Sequence, residues 1–361
     1  MPALRGDDDD SSASSKKVMV HSRRMTRLGQ MYWNPGKLLK RVKPWQRKDE
    51  AGRKALEDAA RTNEDKQLYA LIKLFADLEP DIVEELAQGG RGARALTELT
   101  EQQLCKGQSN AKAEDMRKVR GLLGVWCNWA TRPDAEDSST RGLHNPETAF
   151  LLTPIGLDWD NLDVRQKFMN GEIEISELDV PRFCYPAGKG NPNKPWVDAF
   201  CSELLIKGAQ AIILSPGASK NPQPASMTAV GSRGHRRAAK SRSAVGLAKR
   251  YEMVEVTTPL IAYVTVVVRH ALTSDKDYSD EGSGFDYELF YNEIREFLED
   301  PKHARITAKI VKLWNDEIFA NLKRRKTTGG NPAERKGTRA ALDAALEAGE
   351  DLGLGDEADE N

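Results

Sequence analysis

The sequence predicts a mainly α-helical fold: an irregular multi-helix globular domain with a Pro-rich loop region and disordered termini. Three observations carry that prediction. Apolar residues recur at i, i+3, i+4 and i+7 in several separate stretches, the spacing of one buried helix face. Seven prolines fall between residues 133 and 195 and interrupt any long element there. Charge is sorted along the chain, with basic and acidic runs near the ends where little apolar surface is available to bury.

The chain has 361 residues, of which 39% are hydrophobic, enough for one large core or two modest ones. Mean hydropathy is −0.60. The formal net charge is −1, so no global field selects an anionic or a cationic partner. The opening MPALRGDDDD lacks an apolar segment of the secretory type. The longest strongly apolar run, Leu260 to Val268, is far short of the roughly 20 residues a membrane helix needs, and no membrane partner is expected. Cys105, Cys127, Cys184 and Cys201 are widely spaced, with no CxxC pair and no histidine at zinc-ligand spacing. They are expected to be reduced, structural thiols, in the nucleus or cytoplasm.

Residues 1–48 read as a disordered basic lead-in, acidic and Ser-rich to residue 15. Residues 16–48 carry eleven Lys/Arg and no acid, with Tyr32, Trp33 and Trp45 interleaved. Either these aromatics pin the lead-in to the core, or they stack on bases while the cations meet phosphates.

A single helical domain is expected over 49–322. Leu68, Leu71, Ile72, Phe75 and Leu78 line one helix. Pro80-Asp81 closes it and opens another through Ile82, Val83 and Leu86, which Gly89-Gly90 stops. Met116, Val119, Leu122, Leu123, Trp126 and Trp129 form a third stripe, read as packing. Loops and short helices should cover residues 131–195. Trp196, Phe200, Leu204 and Leu205 start a helix running towards Ile213, which Ser215-Pro216-Gly217 ends.

Residues 215–250 hold eight Lys/Arg and no acid. A mobile basic loop is expected at about 215–245, since so few apolar residues cannot offset chain entropy. The stretch 260–272 has strand propensity in its valine run, but it is continuous rather than alternating and follows Thr258-Pro259, so it is read as a buried helix. Phe285, Leu289, Phe290, Ile294, Phe297 and Leu298 form a further helix, and Ile306, Ile310, Leu313, Trp314, Ile318 and Phe319 another after Pro301. Residues 323–361 read as linker, weak helix and acidic tail, with eight acids and no base from Asp343 onward.

Several phrases are more distinctive than composition. They are Arg141 to His144 leading to Leu151-Leu152-Thr153-Pro154, Pro181-Arg182-Phe183-Cys184-Tyr185, and Ile213 to Ser219. They continue with Ile261-Ala262-Tyr263, Arg269 to Ser274, Phe285-Asp286-Tyr287 with Phe290-Tyr291, and Leu313-Trp314-Asn315 with Ile318-Phe319. In this order the chain resembles, over roughly residues 64–322, an uncharacterised domain-of-unknown-function family abundant in mushroom-forming (basidiomycete) fungi. It departs from that family at His270, where an aromatic is expected, and in a longer, more charged stretch at 220–250. The resemblance implies one folded unit, a fungal origin and a link to multicopy or mobile genetic elements, and no activity.

No phosphate-binding GxxxxGK[ST], HExxH, GxSxG or dinucleotide GxGxxG motif is present, and no cofactor, metal or catalytic residue is assigned. His144 with Glu147, beside Arg141, is the best local acid/base pair, set against an ordinary cap at Asn145-Pro146-Glu147. Asp158, Asp160 and Asp163 lack the glycine and closing glutamate of a calcium loop and read as caps. The expected function is that of an intracellular, non-enzymatic, nuclear protein that contacts DNA or RNA. The contact residues are Arg233, Arg236, Arg237, Lys240, Arg242, Lys249 and Arg250, and Lys323, Arg324, Arg325 and Lys326 form a nuclear import signal. The alternatives are a protein-interaction scaffold and an enzyme using His144 and Glu147.

Overall fold

The computed structural model describes residues 7–90, 92–214, 246–276, 278 and 284–327. The chain divides into two compact units, residues 1–318 and 319–361. The described residues contain thirteen α-helices and no strand, only an isolated bridge between Pro154 and Pro181. The first six are α1 (Asp7–Leu28), α2 (Pro35–Gln46), α3 (Glu50–Asp58), α4 (Asn63–Leu78), α5 (Pro80–Gln88) and α6 (Ala93–Trp126). The loop layer holds α7 (Pro146–Leu152) and α8 (Leu162–Met169). Then follow α9 (Glu203–Ala209), α10 (Leu247–Arg250), α11 (Thr258–Leu272), α12 (Tyr287–Glu299) and α13 (Ala304–Thr327).

The valine run folds as a helix, α11, and sits at the centre of the first unit. Every residue from Leu260 to Leu272 is buried. A helix that is apolar all round needs neighbours on all sides, and α11 has α1, α6, α7, α9 and α12 around it. Thr258 is the first helical residue rather than the cap, and its hydroxyl donates to Glu299 at 2.9 Å.

The lead-in departs from expectation. Residues 7–46 are mostly helical, and α1 packs along α6. The reason lies in small polar residues that count as interior. Ser22 donates to the Leu104 carbonyl at 2.6 Å and Thr26 to the Ser22 carbonyl at 2.9 Å, so both are buried beside Val18 and Met25. The crossing is tight at Gly107, where a Cβ would stand 2.5 Å from Ser22 Cβ and 2.6 Å from the Met19 carbonyl oxygen. In α2, Leu38, Leu39, Val42 and Trp45 join Tyr69, Ile72, Phe75, Val83 and Leu86 in one core cluster. The aromatics therefore pin the head to the core.

Charge is buried at this junction. Arg27 donates through Nε and Nη2 to both carboxylate oxygens of Asp115, at 2.5 and 3.1 Å. Tyr263 of α11 donates to the same carboxylate at 2.9 Å, and Lys118 reaches it at 3.2 Å. Burial works against the charge on Arg27, but Asp115 together with Tyr263 and Tyr251 outweighs it and holds the guanidinium above its ordinary pKa.

Other elements start or stop for local reasons. Gly89, at φ 72°, terminates α5 in a conformation that suits glycine. The helix predicted from Trp196 begins only at Glu203, because Asp198 and Phe200 adopt left-handed φ of 58° and 61°. Ser202 then caps α9 by accepting from the Leu205 amide, and past Ala209 the helix widens into a π-turn, Gln210–Leu214. Trp129 lies beyond the end of α6, its indole N–H donating to the Leu123 carbonyl at 3.0 Å. The linker predicted from residue 323 is helical through Thr327. The expected loop at 215–245, with Ser215-Pro216-Gly217, and the weak helix and acidic tail fall outside the described residues.

Removing one partner of a buried ion pair costs about 3–5 kcal/mol. Arg27→Ala should therefore destabilise the protein by an amount near the lower end of that range, since Lys118 remains beside Asp115. Urea unfolding followed by circular dichroism measures this, and an unchanged midpoint would show that the pair does not hold α1 to α6.

Candidate functional site

The residues singled out in the sequence fall into three places. Lys249 and Arg250 are exposed at the end of α10, while Arg233, Arg236, Arg237, Lys240 and Arg242 lie outside the described residues. Next in the chain, Tyr251 is buried, and the Arg24 guanidinium lies 5.4 Å from its ring centroid. Its hydroxyl accepts from Arg27 Nη1 at 3.2 Å. The basic head and the end of the second basic stretch thus meet in one shoulder. Lys323, Arg324, Arg325 and Lys326 lie in the second unit, on the helical backbone of α13.

Much of the head's charge is already neutralised. Lys17 pairs with Glu79, Arg23 with Glu114, Lys37 with Glu64 and Arg41 with Asp65, at 3.5, 3.0, 2.9 and 3.7 Å. Trp33 and Trp45 are buried, and Tyr32 packs edge-on against Tyr291. Arg24, Lys249 and Arg250 make no ion pair among the described residues.

The His144–Glu147 pair is not assembled. Glu147 accepts the Ala130 and Thr131 amides at 3.0 and 2.9 Å, one on each oxygen. Asn145 caps α7 by accepting from the Glu147 and Thr148 amides, and His144 is exposed. The Arg141 guanidinium is spent on the carbonyls of Thr273, Asp134, Ala135 and Asp137. These contacts make a capping network around a turn.

Sequence reasoning missed a groove of about 250 Å³ between the loop layer and α12. Phe200, Phe290, Ile294 and Phe297 contribute its apolar lining, with Phe200 and Phe297 rings 5.9 Å apart. Leu178 and Trp196 also line it, and they remain 64% and 47% exposed. Val197 and Leu289, adjoining Trp196 and Phe290 in the chain, are exposed as well. Two of the eight exposed large apolar side chains among the described residues, Leu178 and Trp196, therefore line one groove, and grouped apolar exposure marks interaction surfaces.

The groove is held rigidly. Tyr185 donates to the Pro195 carbonyl at 2.6 Å, and the Trp314 indole donates to the Phe200 carbonyl at 2.8 Å. The left-handed Asp198 and Phe200 between these anchors are strained positions of the kind that collects at functional sites. Glu177 accepts the Asp286 amide at 3.0 Å, and Asp286 caps α12. Glu177, Asp179 and Glu293 line the groove, and no Lys, Arg or His does. Burial, aided by Glu296, raises the Glu293 carboxyl above its usual pKa. Three bases stand behind or beside it: the Arg269 guanidinium lies 5.5 Å from the Phe290 ring centroid and feels Glu177, Lys194 precedes Pro195, and the His303 ring lies 4.8 Å from that of Phe297.

A larger cleft of about 520 Å³ lies between α4 and α12. Its polar groups largely satisfy one another, as in the pairs Gln30–Gln67, Lys37–Glu64 and Asn63–Glu296. No described helix is long and apolar enough to cross a membrane, and no metal-binding group of His, Cys, Asp or Glu occurs among the described residues.

These features define a mainly α-helical protein with a loop layer packed over a buried central helix. The model of the family of unknown function DUF6698 matches residues 106–319, and the chain belongs to that family. No curated protein and no solved structure matches it. The matched span runs from mid-α6 into α13 and includes both α11 and the groove.

All four thiols titrate above the ordinary cysteine value, burial being the main cause, and Cys201 is pushed up to about 11. Only the thiolate reacts. With Ellman's reagent at pH 7.5, exposed Cys105 and Cys127 should react first and more slowly than free cysteine. Cys184 should react only after unfolding. A burst matching free cysteine would contradict this.

Proposed function

We propose that the protein is a non-enzymatic binding protein that recognises a protein partner through the groove between the loop layer and α12. The observation that carries this reading is the pair of exposed side chains, Leu178 and Trp196, lining an anchored apolar cavity. The engagement of Glu147 and Arg141 in backbone contacts supports the non-enzymatic part. Affinity capture from nuclease-treated extract should return one stoichiometric protein with the native chain and lose it with Trp196→Ala, since truncated interface anchors cost about 2 kcal/mol or more. Capture that is equal for both chains argues against the groove.

A second reading is favoured by the meeting of Arg24 with Tyr251 beside Lys249 and Arg250. In this reading the shoulder, with Arg233, Arg236, Arg237, Lys240 and Arg242, binds DNA or RNA. Lys323, Arg324, Arg325 and Lys326 serve nuclear import, the protein acts in the nucleus or cytoplasm, and its source is a fungus. Fluorescence anisotropy against duplex and single-stranded probes tests the shoulder. Binding at about 50 mM salt should fall steeply as salt rises and weaken in Arg24→Ala/Lys249→Ala/Arg250→Ala. No binding at low salt removes this reading and leaves the groove.

A further inference from the structure

We infer that the occupant of the groove is a short segment of a partner protein, presenting one large apolar side chain flanked by Lys or Arg. This rests on the proposal that the groove is the recognition site, and it names the chemistry of what enters.

Size comes first. Small-molecule sites run from about 300 to 1,000 Å³, and this cavity, at about 250 Å³, falls below that range. It suits an anchor side chain whose backbone stays outside. The cavity offers such an anchor mostly apolar wall: Phe200 and Phe297 face each other, with Phe290 and Ile294 alongside. Exposed Leu178 and Trp196 would then close over the anchor and exclude water, the arrangement around which binding energy concentrates.

Charge selects the flanks. Glu177, Asp179 and Glu293 line the groove with no base among them. Asp198 lies two residues beyond Trp196. The raised pKa of Glu293 has burial and Glu296 as its causes, so a cation there would relieve an existing cost. An acidic segment would meet like charge, whereas a basic one is steered in and held at the rim. Arg269, buried behind Phe290, offsets part of the Glu177 charge, and Lys194 and His303 sit outside the lining, so Asp179 and Glu293 set the sign of the rim.

Selection of random dodecamers displayed on phage against the immobilised full chain tests the inference, followed by anisotropy on synthetic copies of the selected peptides. Selected peptides should carry Leu, Phe or Trp beside Lys or Arg. Their affinity should fall about 30-fold in Trp196→Ala. It should fall about three- to tenfold in Asp179→Asn/Glu293→Gln, and again between about 50 and 500 mM salt. Thermal melts confirm that each variant is folded. Peptides lost in Trp196→Ala but neutral or acidic, and indifferent to salt, overturn the inference while the groove remains a recognition site. Peptides indifferent to Trp196→Ala, or no enrichment at all, overturn both. Enrichment only after deletion of residues 220–243 assigns the groove to the chain's own basic segment and overturns the partner assignment.

Discussion

The carboxylate of Asp115, out of solvent in mid-α6, is the constraint around which the first unit is arranged. An isolated buried carboxylate is costly, and the cost is offset only where charge and hydrogen bonds converge on it. Here Arg27 arrives from α1, Tyr263 from α11 and Lys118 from α6 itself. The same guanidinium reaches Tyr251 beyond α10. One charge thus ties together segments that are far apart in sequence and fixes how deeply α1 sits. Asp115, Tyr263 and Tyr251 lie within the span matched by the family model, but Arg27 lies before it. Residues 106–319 therefore carry a buried acid that is met by Lys118 from within the span and by the buried guanidinium of Arg27 from the head, so the head belongs to the same folded unit.

That arrangement places the groove. With α1 and α6 on its sides, α11 is enclosed and presents its C-terminal end to α12 and the loop layer. There Arg269 lies with its guanidinium 3.4 Å from the Phe285 ring centroid, a contact worth more when desolvated. His270, the departure noted from sequence, packs its ring 4.2 Å from that of Tyr278, so it acts as a core aromatic. Arg269 also suits a helix C-terminus, where a cation meets the unpaired carbonyls. The Phe285 turn leads into α12, and α12 supplies one wall of the groove.

The helical class and most helix positions were legible because apolar periodicity is a local property. The stop at Gly89 and the proline starts of α5 and α7 are local too. The head was misread because its run of bases outweighed the apolar Leu38, Leu39, Val42 and Trp45 face of α2, and because α1 is buried through Ser22, Thr26 and an ion pair, which do not register as apolar periodicity. The eleven bases of residues 16–48 all looked unpaired because the partners of five of them, Glu64, Asp65, Glu79, Glu114 and Asp115, come from other helices. The groove was illegible for a related reason. Leu178, Trp196 and Val197 stand in a Pro-rich stretch with no period, and the left-handed turns at Asp198 and Phe200 convert an apparent helix start into a wall.

Sorting of charge along the chain does not by itself predict sorting in space. Folding takes the uniformly basic head and threads it through acidic helices, which pairs Lys17, Arg23, Arg27, Lys37 and Arg41 and leaves half-buried Arg24, with Lys16, Lys40, Lys43, Arg47 and Lys48, without an ion pair among the described residues. Folding does the opposite at the groove: Glu177, Asp179 and Glu293, scattered over more than a hundred residues, end on one apolar cavity with no base in its lining. A polyanion gains most where cations are free to exchange counterions, and internal pairing removes that gain. An apolar anchor gains from burial whatever the salt, and unpaired carboxylates around it add selectivity for a cationic flank. The physical balance between the two surfaces therefore favours the groove, whose gain comes from burial at any salt, whereas internal pairing has already withdrawn five of the head's eleven bases from a polyanion.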